Sequence, residues 1–161
     1  MIEVEITGDM LVTARDKAAE MGRLHNSITR GSGNIAGFLG EAIGQIVMGG
    51  VLDNTYDYDL VLEDGTKVDV KTKQTSVKPL PEYDCSIANL NTKQACDYYA
   101  FVRVKNDFTK GWYLGVYKKE DYIKDATFME KGQVDPSNKY VVKSACYNIK
   151  ISALKETINA V

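Results

Sequence analysis

The sequence predicts an α/β fold, and three patterns carry that expectation. Apolar residues recur at helical spacing through Ile35, Phe38, Leu39, Ala42, Ile43, Ile46 and Val47. Residues 56–71 read as two strands around Asp64-Gly65. Two β-rich runs, Tyr98–Lys105 and Trp112–Lys118, flank a polar turn with Asn106, Asp107 and Gly111, which predicts an antiparallel hairpin. At 161 residues, 44% hydrophobic and 26% charged, the chain has the make-up of an ordinary globular protein and the length of a single domain over 1–161. Its expected parts are an N-terminal helix and loop (1–34), a core (35–118) and a C-terminal strand and helix (119–161).

Taken in order, Asp9 can cap a helix running to about Leu24, with Leu11, Ala14, Ala18 and Met21 on one narrow face. That face can dock on the core or meet a second copy in a homodimer. His25 to Asn34 is polar, carries Gly31 and Gly33, and reads as a connection; no Gly-Lys-Ser/Thr follows, so it is not a phosphate-binding Walker loop. The strong helix then runs from an Asn34 cap to a Gly49-Gly50 stop. Gly37, Gly40 and Gly44 each cost it about 1 kcal/mol against alanine, which predicts close approach to another backbone. Glu41 and Gln45 share one side of this helix.

The register of the 56–71 hairpin follows from its faces. A two-residue Asp64-Gly65 loop sets Leu60 against Asp69. A three-residue loop, Glu63-Asp64-Gly65, with glycine in the left-handed position sets Leu60 against Val68 and Leu62 against Thr66. The second register gives an apolar face of Leu60, Leu62, Val68 and Val70, and is preferred. It places Asp59 opposite Asp69, with Lys71 further along the same polar face. After it come a polar loop (Thr72 to Asp84), a strand near Cys85 to Leu90, a short helix capped by Asn91, and the second hairpin. Lys119 to Asp125 is expected to be helical, Tyr147 to Ile149 a strand, and the end of the chain a helix capped by Ser152 with Glu156 in its first turn.

Charge and rare residues narrow the chemistry. The net charge of −2 conceals a division: −7 over 1–64, +5 over 65–119 and zero over 120–161. The basic middle suits either a solvated surface or a polyanion-binding face. Three cysteines without CxxC spacing disfavour a disulfide framework and a zinc site, and read as small buried hydrophobes. One histidine, His25, excludes a multi-histidine metal site. Catalysis is left to carboxylates and lysine. No apolar run approaches the ~20 residues of a membrane span, and MIEVEITGD is unlike a signal peptide, so the expectation is a cytoplasmic protein without a membrane partner.

Two aspartates opposed across a strand pair repel. Either a cation relieves them, with a hard ion such as Mg²⁺ suiting carboxylate and carbonyl oxygens, or Asp69, Lys67 and Lys71 pair on a solvated hairpin. Asp59, nine residues, then Asp69-Val70-Lys71 resembles the PD-(D/E)XK nuclease signature, with tyrosine in place of the proline and aspartate as the second acid. Glu41 lies where many such nucleases carry a further acid. The order of acidic helix, D…DxK hairpin, connecting helix and strand pair resembles the restriction-endonuclease-like αβββαβ core, a mixed sheet flanked by helices, over residues 35–118.

The resemblance implies a Mg²⁺-dependent phosphodiesterase acting on DNA, with Mn²⁺ able to substitute. It implies that Asp59 and Asp69 ligate metal through carboxylates and Val70 through its carbonyl. Glu41 would bind metal directly or through water, and Lys71 would orient or help deprotonate the attacking water, so that Glu41, Asp59, Asp69 and Lys71 form the catalytic set. Lys73, Gln74, Lys93 and Gln45 are candidates for substrate binding, and Tyr83 for stacking on a base. The family leaves open a structure-selective nuclease such as a junction resolvase or exonuclease, an RNA nuclease, and a binding module without turnover. The small size resembles phage or mobile-element nucleases.

Overall fold

The computed structural model describes residues 1–25 and 32–158. Its centre is a six-stranded mixed sheet in the order β1-β7-β6-β4-β3-β2, formed by β1 (Ile2–Glu5), β2 (Val51–Leu52), β3 (Leu60–Val61), β4 (Lys67–Thr75), β6 (Tyr98–Lys105) and β7 (Lys110–Lys118). Neighbours are antiparallel except β4 and β6, which run parallel from Val68↔Tyr98 to Thr75↔Lys105. The sequence of β6 shows why it lies inside: six successive residues from Tyr99 to Val104 are buried, as a strand covered on both faces requires.

The hairpin register is the one expected. Leu60 faces Val68, Leu62 N–H donates to the Thr66 carbonyl at 2.9 Å, and Gly65 takes the left-handed φ of +87°. The first strand is short, however, because pairing reaches only Leu60 and Val61.

Helices α1 (Gly8–His25) and α2 (Ser32–Met48) cover one face of this sheet. Ala14, Ala18, Phe38, Leu39 and Ile43 meet Val68, Val70, Ala100, Val102 and Val104 there in an aliphatic core. Thr7, not Asp9, caps α1, its hydroxyl accepting the Met10 N–H at 3.2 Å. Helix α2 starts two residues before the expected Asn34 cap and ends, as expected, at Gly49 and Gly50, both with positive φ. Most of the expected connection, residues 26–31, lies outside the described residues. The expected apolar stripe of α2 holds except at Ile46, which is exposed. Its glycines answer to side chains and not to another backbone: a Cβ at Gly40 would collide with Thr72, one at Gly44 would sit 3.4 Å from Val70, and Gly37 faces open space.

The opposite face is not covered by a helix layer. Strands β5 (Asp84–Ala88), β8 (Thr127–Met129) and β9 (Cys146–Lys150) form a second sheet in the order β5-β9-β8. With α3 (Lys119–Asp125) it encloses a second core of Cys85, Ile87, Tyr99, Phe101, Trp112, Leu114, Tyr122 and Ile149. Tyr122 is held there by donating its hydroxyl to the Cys85 and Tyr147 carbonyls at 2.9 and 2.7 Å. Cys85 and Cys96 are buried, Cys146 is half-buried, and all three are free thiols.

Several expected elements change. Residues Thr72 to Thr75 continue β4 and do not belong to a loop. The strand expected near Cys85 to Leu90 is β5, ending at Ala88, and the short helix expected after it is only a 3-10 turn, Asn89–Lys93, preceded by Ala88 and not capped by Asn91. Among the described residues the C-terminal helix is likewise absent: Ile151–Ala153 makes a 3-10 turn, after which Lys155 pairs by backbone with Val116 at 2.7 and 2.9 Å. Strands β1, β2 and β8 were not anticipated. No described helix is long and apolar enough to cross a membrane.

Candidate metal and phosphodiester site

The site forms where β3 stops. Asp59 immediately precedes that strand, and its backbone N–H still donates to the Val68 carbonyl at 3.0 Å. Its side chain then does what a longer β3 backbone would do, with Oδ2 accepting the Val70 N–H at 2.8 Å. In an extended strand the N–H and C=O of one residue point to the same edge. Val70 therefore also turns its carbonyl toward the edge that β3 no longer covers.

Asp69 stands between these contacts on β4 and is 4% exposed. Lys71 Nζ lies 2.5 Å from its Oδ2, yet that oxygen has no aligned hydrogen-bond donor. The pair is a close, largely buried ion contact in which the ammonium stands off the ideal hydrogen-bond direction of the carboxylate. The third acid comes from the helical face. Gly40 lets α2 lie against Thr72, and its neighbour Glu41 thereby reaches the end of the hairpin, within electrostatic reach of Asp59 and Asp69.

These acids press on each other. Burial pushes the Glu41 carboxyl up to about 7, Lys17 on α1 pulls it back, and the charge of Asp69 adds to the rise. Asp59 is held well above the usual carboxylate range by burial first, then by the charges of Asp69 and Glu41, against the stabilising Val70 N–H. Raised carboxyls grouped with a lysine are a pattern in which functional sites are enriched.

Lysine 71 is fixed by Gln94, which the sequence places with Lys93 on the connecting helix, as a substrate contact or part of a solvated face. Its Nζ donates to Gln94 Oε1 at 2.9 Å, while Gln94 Nε2 donates to the Tyr56 carbonyl at 2.6 Å. Lys119 Nζ closes on the Gln94 carbonyl. Gln94 is 8% exposed, not part of a solvated helix face. It ties β4, the approach to β3 and α3 to one point. Asp57 supports it by accepting the Ala95 N–H at 3.0 Å. A lone glutamine between exposed Lys93 and Ala95 carries no periodic signal, so its inward turn could not be read from the sequence.

The other candidates are dispersed. Lys73 and Gln74 continue along β4 and are exposed, and Lys93 is exposed on the 3-10 turn. Gln45 uses its amide on the Gly50 carbonyl at 3.1 Å, closing the end of α2.

Glu41, Asp59, Asp69 and the Val70 carbonyl are all hard oxygen donors and fit a Mg²⁺-class ion in kind. They are not a ready cage: among the described residues, no three His, Cys, Asp or Glu side chains stand at metal-binding spacing. Lys71 and the Val70 N–H hold the two aspartates instead. Compared with known proteins, the chain matches no family model and no curated relative.

Proposed function

We propose that the chain is a Mg²⁺-dependent nuclease that hydrolyses DNA phosphodiester bonds, with Mn²⁺ able to substitute, on a restriction-endonuclease-like core running from α2 through β2, β3 and β4 to β6. The observation that carries the reading is the convergence of Glu41, Asp59 and Asp69 with Lys71 at one sheet edge. The antiparallel β2-β3-β4 meander followed by a parallel β6 supports the core, with β5 and a 3-10 turn replacing the family's connecting helix.

Held by Asp59, Asp69, Glu41 and the Val70 carbonyl, a divalent ion would supply a Lewis acid and make a neighbouring water easier to deprotonate. The residues of the chain do the rest. Asp59 and Asp69 would hold that ion beside Lys71, where its positive charge would favour a phosphate. The Lys71 ammonium, aimed by Gln94, orients the attacking water and offsets the charge that grows on the phosphoryl oxygens. The water oxygen bonds to phosphorus and gives up one proton to solvent, one ester P–O bond breaks, and the departing alkoxide takes a proton from solvent.

The test is incubation of the wild-type chain with Mg²⁺ or Mn²⁺ and linear duplex, circular, single-stranded and branched DNA, resolved on a gel. Metal-dependent products from at least one substrate are expected, and the pattern separates endonuclease, exonuclease and junction-selective action. Intact substrates in every lane, with folded protein, would contradict the reading.

A further inference from the structure

Beyond Lys71, the same face of β4 carries Lys73, and the parallel neighbour β6 sets Arg103 beside it in register. Arg103 is 7% exposed. One terminal nitrogen donates to the Asp84 carbonyl at 2.5 Å. No carboxylate of the described residues forms an ion pair with this guanidinium. The Asp84 side chain is already engaged by Lys150 at 2.8 Å. Burial lowers the Lys73 ammonium, and the charge of Arg103 lowers it further. Lys73, Arg103 and Lys150 line one open cleft with Asn106, Glu82 and the exposed Tyr83. A smaller cavity shares Lys73 and Arg103 and reaches Lys71.

We propose that this cleft binds a backbone phosphate of an unpaired nucleic-acid strand, with the adjacent base stacked on Tyr83. A buried guanidinium with unspent donors matches phosphate, whose oxygens accept its planar fork. A ring in the cleft wall can stack only on a base whose face is free, which selects a single strand over a duplex. The direction of the path, from the cleft to Lys71, rests on the nuclease reading.

The test is fluorescence anisotropy in EDTA, where no cleavage occurs, with a short fluorescein-labelled oligodeoxynucleotide, single-stranded or annealed to its complement. Lys73 and Tyr83 sit at the surface, so their variants should fold, as circular dichroism can verify. Lys73→Ala should weaken single-strand binding about fivefold and reduce the salt dependence by about one phosphate contact, a slope change of about 0.7. Tyr83→Ala should weaken single-strand binding about tenfold and leave duplex binding unchanged. Wild-type affinity and slope in both variants would overturn the cleft, and so would equal losses on single strand and duplex in Tyr83→Ala. A protein that loses single-strand affinity in both variants yet cuts no DNA with Mg²⁺ would retain the cleft and refute the nuclease reading.

Discussion

One face of β4 carries Asp69, Lys71 and Lys73 in succession, and the two ends of this row pose opposite electrostatic problems. At the acidic end, Glu41, Asp59 and Asp69 crowd together out of water, and the carboxyls of Glu41 and Asp59 are pushed upward. At the basic end, Lys73 and Arg103 are neighbours, and both are pushed downward with burial as the first cause. Isolated surface pairs would not behave in this way, because water would screen them. Lys71 is the junction, held between Asp69 and Gln94. The contrast teaches that the row runs from an excess of acid to an excess of base, with the Asp69–Lys71 pair between them, and on the proposed reading a metal-assisted phosphodiester substrate would complement both ends.

The strongest way to break the comparison is to remove the acid at its centre. Asp69→Ala should lower cleavage by at least about 10³-fold, the scale of lost electrostatic stabilisation at a reacting centre, while DNA affinity stays within several-fold because the basic end is untouched. Gel assays and anisotropy on the same preparation would check this, and comparable cutting by the variant would remove Asp69 from the site. Glu41→Gln should reduce the rate about 10- to 100-fold at limiting Mg²⁺, with partial recovery in Mn²⁺. Unchanged turnover would show that α2 contributes nothing to the chemistry.

Position 40 sharpens the account structurally. Gly40→Ala drives a methyl into Thr72 and should destabilise the protein by about 1–3 kcal/mol in denaturant titration. Adding Thr72→Ala removes Oγ1 and Cγ2 but leaves the residue-72 Cβ 2.8 Å from the new methyl, so it should restore part of that loss, whereas a Gly40→Ala effect unchanged by the second substitution would locate the strain elsewhere.

Titration gives the smallest effect. Well below pH 4 the Glu41 and Asp59 carboxyls are neutral in folded and unfolded chains alike. As pH rises the unfolded chain releases these protons first, and the folded chain holds the Glu41 proton to about 7. The folded state therefore loses stability across that interval. The Tm in EDTA should fall by several degrees from pH 5 to 8, and Mg²⁺ should recover it at pH 8. A Glu41→Gln/Asp59→Asn protein should show a shallower decline. A metal-free Tm that rises over this range would contradict the crowded acids.

What the sequence made legible was local. The hairpin register followed from matching Leu60 with Val68, and α2 from its apolar period and two terminal glycines. The β6–β7 hairpin followed from its strand-forming runs. Partners distant in sequence were not legible: the strand near Cys85 is expected and present as β5, but its partner β9 lies about sixty residues on, and no local pattern announces that pairing. The alternation Ile2, Glu3, Val4, Glu5 is a strand signal that was available but short, and only the pairing with β7 gives it meaning. Within the site, Asp59, Asp69 and Lys71 were legible because the hairpin register fixes them. Gln94 was not, since its role exists only once β4, α3 and the chain before β3 meet. Arg103 resembled any other polar residue in an apolar strand until Asp84 and Lys150 were placed beside it.

The central claim is that the acidic end of the β4 row takes a divalent cation that in turn holds a phosphate. Fluorescence anisotropy with a labelled DNA duplex at fixed ionic strength, comparing EDTA with Ca²⁺, an oxygen-seeking ion, tests it most directly. In the wild type, Ca²⁺ should raise affinity. In Asp59→Asn/Asp69→Asn, that gain should vanish, and metal-free binding should improve because two repelling charges are gone. An identical Ca²⁺ gain in both proteins would mean that the cation acts elsewhere, and the site built at the end of β3 would not be the one that meets the phosphate.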